Sequence, residues 1–194
     1  LTPSVQAELA SDLQDGVSAL MTQSKWTGAQ RQRSLTIMHL AMFDAANATQ
    51  GVYAPYAYAG KIDTSASPQA AVTQAALSVM QELLPEHQQD LEALAGSYFT
   101  ATTDAASLEA GRRIGAAAAA AVLAVRAQDG ADFSLDYTPG AAEAGVYQPT
   151  SDRAMVAPKI KDMTPFVLTS ASHFRVPPPP SPLAPSSHQN LQQN

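Results

Sequence analysis

The chain has 194 residues, of which 45% are hydrophobic and 14% charged, so it is long enough for one domain, or one and a half, with a core that needs neither a disulfide nor a metal ion. It contains no cysteine, which excludes disulfide frameworks, zinc–thiolate sites, iron–sulfur clusters and thiol nucleophiles. Lys and Arg number 11 against 17 Asp and Glu, a net charge of −6 that predicts no nucleic-acid partner. The longest apolar run, 115–125, is far shorter than the ~20 residues of a membrane span, so we predict no such span.

The sequence begins at Leu1, without an initiator Met and without a basic segment followed by an apolar one. A secretory leader has that pattern and is removed from the mature protein. This start therefore favours either a processed, exported chain or a fragment, and composition does not choose between the two.

The distribution of proline divides the chain once. Only four of the 14 prolines precede residue 130, whereas ten lie between Pro139 and Pro185. Because proline lacks a backbone donor and breaks helix interiors, we predict an all-α fold. It consists of a helical bundle of about five helices over residues 1–130, followed by a long, proline-rich, mostly irregular segment over 131–194.

Five helices are predicted from apolar residues that recur every three or four positions. In chain order they span about Ser4 to Thr22, a stretch that follows a break at Trp26–Gly28 and stops before Gly51, Pro68 to just before Pro85, a stretch from about Glu86, and about Ala105 to Gln128. The residues predicted to face inward are, helix by helix, Val5, Leu9, Leu13, Val17 and Leu20; Leu35, Met38, His39, Met42 and Ala46; Val72, Ala75, Val79 and Leu83; Leu91, Leu94 and Tyr98; and Ile114, Ala118, Ala121, Val122 and Val125. The alanine run of the fifth helix predicts close contact between helix backbones.

Motifs for catalysis and metal binding are absent from the sequence. It contains no nucleophile elbow, no dinucleotide-binding glycine pattern, no P-loop, no H-E-x-x-H and no EF-hand loop. None of its four histidines has a second histidine three or four residues away, which disfavours a helical metal site.

Three fragments imitate catalytic motifs: Arg33 with His39, the tetrapeptide Pro185–His188, and Phe174–Arg175. We interpret the first as half-buried helix residues with local hydrogen bonds, the second as tail, and Arg175 as the anchor of an extended segment. Three carboxylates are interpreted as solvated helix faces rather than as an acid/base pair: Glu82, Glu86 and Glu92.

An ordered series of segments resembles a known family. The stretch Arg33–Ala48, followed by Gly51–Tyr56, resembles the amino-terminal half of bacterial vanadium-dependent haloperoxidase-like proteins of the type 2 phosphatidic acid phosphatase superfamily. Later segments that agree in order are Ser67–Ala71, Ile114–Gly115, Leu123–Gly130, Tyr137–Gly140, Gly145–Thr150, Thr164–Leu168 and Phe174–Pro180.

The resemblance implies an α-helical fold of two bundles with an oxyanion pocket for vanadate or phosphate. It also implies that the pocket motifs follow the proline run. These motifs are a Lys and Arg-Pro segment, a Pro-Ser-Gly-His segment, and a Ser-Arg segment closing on a His. The given sequence ends at Asn194 without them. We therefore assign no catalytic, cofactor-binding or metal-binding residue in this chain. Vanadate is expected only together with the carboxyl-terminal half.

We predict that the chain is the structural amino-terminal module of a haloperoxidase-like or acid phosphatase-like enzyme and is inactive in isolation. The alternative is a non-catalytic helical interaction or assembly subunit, derived from that family, whose tyrosine loop (residues 51–66) and proline-rich tail bind other subunits. Its partner is then the missing carboxyl-terminal half or another protein subunit, in a homo- or hetero-oligomer. The structural or interface candidates are Arg33, His39, Asp44, Asn47, Tyr53, Tyr56, Phe166, Phe174 and Arg175.

The segment 131–194 is predicted to be held by another surface: the bundle, the missing half or a neighbouring subunit. It is far longer than ordinary loops, yet it carries large apolar side chains at intervals, and burial of each contributes about 1.5 to 3 kcal/mol. We expect a polyproline II rod over Pro177–Pro180 and frayed chain over Ser181–Asn194.

Overall fold

The computed structural model describes residues 3–100, 104–143 and 145–177, with side chains of the first helix described from Glu8 onward. The predictions for Val5, Pro178–Pro180, Ser181–Asn194 and the tetrapeptide Pro185–His188 lie outside these residues. Five α-helices follow one another: α1 Pro3–Gln23, α2 Gly28–Gln50, α3 Pro68–Leu83, α4 Gln88–Phe99 and α5 Ala105–Arg126. No strand occurs in the described ranges, so the prediction of an all-α fold with about five helices is confirmed.

The chain divides into two compact units, Leu1–Gln128 and Asp129–Asn194. The first unit contains all five helices. The described part of the second unit is irregular except for one short 3-10 turn, Ile160–Asp162. The fourth helix begins slightly later than predicted, because Pro85–His87 forms a separate 3-10 turn before it.

Local sequence signals define the ends of α2 and α3. Thr27 caps α2 through a capping box with Gln30, which satisfies two backbone donors at once. Gly51 ends α2 in the left-handed region with φ 70°, a conformation that glycine adopts without strain. Ser67 caps α3 and Pro68 occupies its first turn, as the sequence predicts.

Helix α3 is the centre of the bundle and packs against each of the other four helices. Its interior positions are almost all apolar and buried, which is typical of a helix surrounded by protein. The largest fully buried apolar side chains of the chain are Leu13, Met21, Ile37, Met38, Met80, Leu84, Val17, Val79 and Val122.

The close contact predicted for α5 is present and involves α3. A Cβ on Gly111 would lie 2.5 Å from the carbonyl oxygen of Ser67, and one on Gly115 would collide with the carbonyl oxygen of Ala71. Small residues at these positions therefore allow the two helix backbones to approach.

The predicted core faces are confirmed in large part on α1, α3 and α5, but every predicted face includes positions that are not buried. On α2 the buried stripe includes Ile37, Ala41 and Ala45, whereas Leu35 and Ala46 are only half-buried. Because α2 contacts α1, α3 and α5, its buried face is broader than the predicted stripe and is rotated relative to it. The other residues predicted to face inward but found half-buried or exposed are Leu20, His39, Leu83, Leu94, Tyr98, Ala121 and Val125. The exposed fraction of Val125 is 56%, while its neighbour Arg126 is buried.

Within the part of the chain that the structure describes, none of the helices has both the length and the apolar character needed to cross a membrane.

Candidate functional site

The carboxylate of Asp44 lies at the centre of a cluster of backbone donors. Asp44 is on α2 and has no exposed surface. Its Oδ1 accepts the backbone N–H of Tyr56 at 2.7 Å, and its Oδ2 accepts those of Ala57 and Tyr58, each at 2.8 Å. A buried carboxylate requires such partners, and hydrogen bonds to an ionised acceptor are stronger than neutral ones. Asp44 therefore fixes the middle of the tyrosine loop to α2.

Asn47, one turn further along α2, fixes the start of the same loop. Its Oδ1 accepts the backbone N–H groups of Val52 and Tyr53 at 3.2 and 2.8 Å, and its Nδ2 donates to the carbonyl of Tyr53 at 2.6 Å. Its own carbonyl accepts the N–H of Gly51 at 2.6 Å. The side chain thus continues the hydrogen bonding of the helix end into the loop.

The pinned loop presents aromatic side chains to the surface. The exposed fraction of Tyr53 is 68% and that of Phe43 is 39%, and their ring centroids lie 6.2 Å apart. Tyr56 is half-buried. A rigid backbone that carries exposed aromatic rings is an arrangement found at protein–protein contacts.

His39 lies in a different environment, between α1 and α2. Its Nε2 is 2.7 Å from Oε1 of Gln14, and burial lowers its pKa. It lines a cavity of about 220 Å³ whose other walls include Met42, Phe43 and Val72. The neutral imidazole is therefore favoured here.

Arg33 supports the carboxyl-terminal end of α5. Its Nη2 donates to the carbonyl of Arg126 at 2.9 Å, which satisfies an acceptor in the last turn of that helix. It lines a cavity of about 490 Å³ together with Ile37 and Glu82. No residue lines both this cavity and that of His39, so the structure does not bring Arg33 and His39 together in one site.

The candidates in the second unit differ in their exposure. Phe166 is half-buried. Phe174 has an exposed fraction of 77%, and its ring packs edge-on against that of His173 at 4.5 Å. Arg175 is exposed, and its backbone N–H closes a turn on the carbonyl of Ser172.

Carboxylates and histidines form no metal-binding group of three or more among the described residues. Glu82, Glu86 and Glu92 are exposed, as predicted; Glu86 accepts the hydroxyl of Ser24 at 2.8 Å. His87 and Asp90, three residues apart, form a pair that was not predicted: His87 Nδ1 lies 3.1 Å from Asp90 Oδ2. This pair is a local ion pair when the imidazole is protonated.

The chain was compared with protein-family models, curated proteins and solved structures, and none of them matches.

Proposed function

We propose that this chain is the structural amino-terminal module of a vanadium haloperoxidase-like or acid phosphatase-like enzyme. In this proposal a carboxyl-terminal half supplies the residues that bind vanadate or phosphate. The stretch Arg33–Tyr56, which carries the resemblance, comprises most of α2 and the first part of the tyrosine loop. The observation that supports a structural role is that the buried carboxylate of Asp44 in this stretch accepts three backbone N–H groups of the tyrosine loop.

The other polar residues of the same stretch are also engaged within the bundle. Asn47 holds the loop, Arg33 caps a carbonyl of α5, and His39 lies in an apolar cavity beside Gln14. An oxyanion site requires several donors that converge on one point. Arg33 and His39 line separate cavities, which supports the assignment of that chemistry to another part of the enzyme.

Intact mass and vanadate binding test this proposal. Mass spectrometry of the native protein, captured from its source with an antibody against this chain, should give about twice 20.3 kDa. The 194-residue chain should give no stoichiometric heat with vanadate in calorimetry. A native mass of 20.3 kDa, or a vanadate site that Arg33→Ala and His39→Ala abolish, would contradict it.

A second candidate function is supported by the exposed rings of Phe43 and Tyr53, namely an assembly subunit that pairs with a second copy of itself. Their loop is already ordered by Asp44 and Asn47, so pairing through it carries little further entropy cost. Sedimentation should then show a dimer that Tyr53→Ser dissociates and that Tyr147→Ser, an exposed tyrosine of the second unit, leaves intact. A chain that stays monomeric at all concentrations would exclude this function.

A further inference from the structure

A groove of about 580 Å³ lies between residues 58–65 and one face of α5. Its charged lining residues are Lys61, Asp63 and Arg113, and its apolar walls include Tyr58, Ile62 and Ile114. The volume is within the range of small-molecule sites. The groove shares no lining residue with the cavities of Arg33 and His39.

The two cations of the groove form no hydrogen bond or ion pair with the residues that the structure describes, although the charge of Arg113 acts on Asp63. Lys61 and Arg113 are exposed and form neither a hydrogen bond nor an ion pair there. The neighbouring Arg112 differs: its Nε donates to Oε1 of Gln74 at 3.0 Å, and its guanidinium stacks on Phe99 at 4.6 Å. The fold thus engages the side chain of Arg112, whereas the guanidinium of Arg113 is available to bind a ligand.

The carboxylate of Asp63 sets the net charge of the groove. It accepts the backbone N–H of Ser65 at 3.0 Å and the Ser65 hydroxyl at 2.5 Å. These hydrogen bonds, and secondarily the charge of Arg113, lower the pKa of Asp63, so it is ionised at neutral pH. Its backbone N–H donates to the carbonyl of Ala48 at 2.9 Å, which ties this part of the loop to α2.

The groove therefore has two positive charges and one negative charge, an excess of one positive charge. A singly charged anion matches this excess, whereas the second charge of a phosphate ester would lie near the Asp63 carboxylate and be repelled. The planar guanidinium of Arg113 can pair with both oxygens of a carboxylate. The apolar walls provide contact for an organic body attached to it.

From this arrangement we propose that the groove binds a small organic monocarboxylate with an apolar body. The carboxylate pairs with Arg113 and Lys61, and the body lies against Tyr58, Ile62 and Ile114. A free acid and the carboxyl terminus of a peptide share this chemistry.

Benzoate is a suitable probe. Titrated into the isotope-labelled 194-residue chain at low salt, it should give saturable NMR shifts of the amides of 58–65 and 113–117. Arg113→Gln and, independently, Lys61→Gln should weaken its binding about threefold or more, as the loss of a charged hydrogen bond at an exposed site predicts. Arg112→Gln is the matched control and should leave benzoate affinity unchanged. The peptide Gly-Gly-Phe, with its terminal carboxylate, separates the two sources: tighter binding than benzoate favours a peptide carboxyl terminus, and weaker binding favours a free acid.

Several results would overturn the proposal. Shifts that do not saturate would exclude a site. Equal weakening by Arg112→Gln and Arg113→Gln would reduce the effect to general attraction by a basic surface. Equal binding of neutral benzamide would remove the role of charge, and tighter binding of phenyl phosphate than of benzoate would contradict the single-charge assignment. Two independent variants keep the test valid if either one fails to fold, which circular dichroism checks.

Discussion

The carboxylate of Asp44 accepts the backbone N–H of Tyr58 at 2.8 Å, although 14 positions separate the two residues along the chain. The link joins the interior of α2 to the middle of the tyrosine loop. Because Asp44 also binds the N–H groups of Tyr56 and Ala57, one buried side chain orders three consecutive residues. The loop is thus part of the folded bundle, and its exposed rings are held in place.

Asp44→Asn should lower the free energy of unfolding by about 2 to 4 kcal/mol. The variant keeps the shape of the side chain, but it removes the charge and points an amide N–H₂ at a backbone donor, which leaves buried polar groups unpaired. Urea denaturation followed by circular dichroism measures the change. Asp15→Asn, an exposed change on α1, is the control and should stay within about 0.5 kcal/mol of the parent; equal effects of the two would contradict the role of Asp44.

Gly115→Ala and Gly96→Ala should have opposite effects on stability, although both glycines are inside helices. A Cβ on Gly115 would collide with the carbonyl of Ala71, whereas a Cβ on Gly96 meets nothing within 4 Å. We expect Gly115→Ala to destabilise by about 1 to 3 kcal/mol and Gly96→Ala to stabilise by about 0.5 to 1 kcal/mol. Thermal denaturation of the two variants checks this, and stabilisation by Gly115→Ala would show that α3 and α5 are not in close contact.

His39 should make the protein less stable as pH falls below about 6.5. Burial lowers the pKa of His39 in the folded chain below its unfolded pKa of about 6.5. Between the two pKa values the unfolded chain binds more protons than the folded chain, so the free energy of unfolding rises with pH there. The difference in unfolding free energy between pH 5.5 and 7.5 should become smaller in His39→Gln. An unchanged difference in the variant would assign the acid sensitivity to other groups.

Lys159 should account for the acidity of Asp132 in the second unit. Hydrogen bonds from Lys159, at 2.8 Å, and from Ser134 lower the pKa of Asp132 to about 2. The contribution of the Asp132–Lys159 pair to stability is therefore fully present above the ordinary pKa of 3.8, and it is lost as the pH falls toward 2. NMR titration of the Asp132 carboxyl should show its midpoint rising in Lys159→Met. Lys161→Met, which removes a lysine paired with the adjacent Asp162, should leave that midpoint unchanged.

Much of the helical architecture could be predicted from sequence because its signals are local. Ser67 with Pro68 and the glycine at 51 set helix ends through their own backbone preferences. Core faces were less predictable: Val125 fits the apolar period, but Arg126 is the buried residue of that turn. Which side of a helix is buried depends on its neighbours, and a single stripe does not encode them.

The candidate site, like the core faces, depends on contacts between distant parts of the chain that the local sequence does not encode. Asp44 and Asn47 were singled out as structural or interface candidates, yet their partners are backbone groups of a loop, which have no sequence signature. The signal that was present is a carboxylate among the apolar residues of α2, since such a position requires donors from elsewhere. The groove of Lys61 and Arg113 had no signal, because its two cations come from a loop and a helix that are distant in sequence.

Native-state hydrogen exchange of the backbone amides of Tyr56, Ala57 and Tyr58 tests most directly whether Asp44 holds the tyrosine loop as part of the bundle. These three amides should be protected to nearly the level of the α2 core, because opening them requires breaking bonds to a buried carboxylate. The amide of Ala59, for which the described residues offer no acceptor, should exchange fast, and Asp44→Asn should remove the protection of the other three. Exchange of all four amides at the rate of an unstructured peptide in the parent chain would contradict the structural role of Asp44.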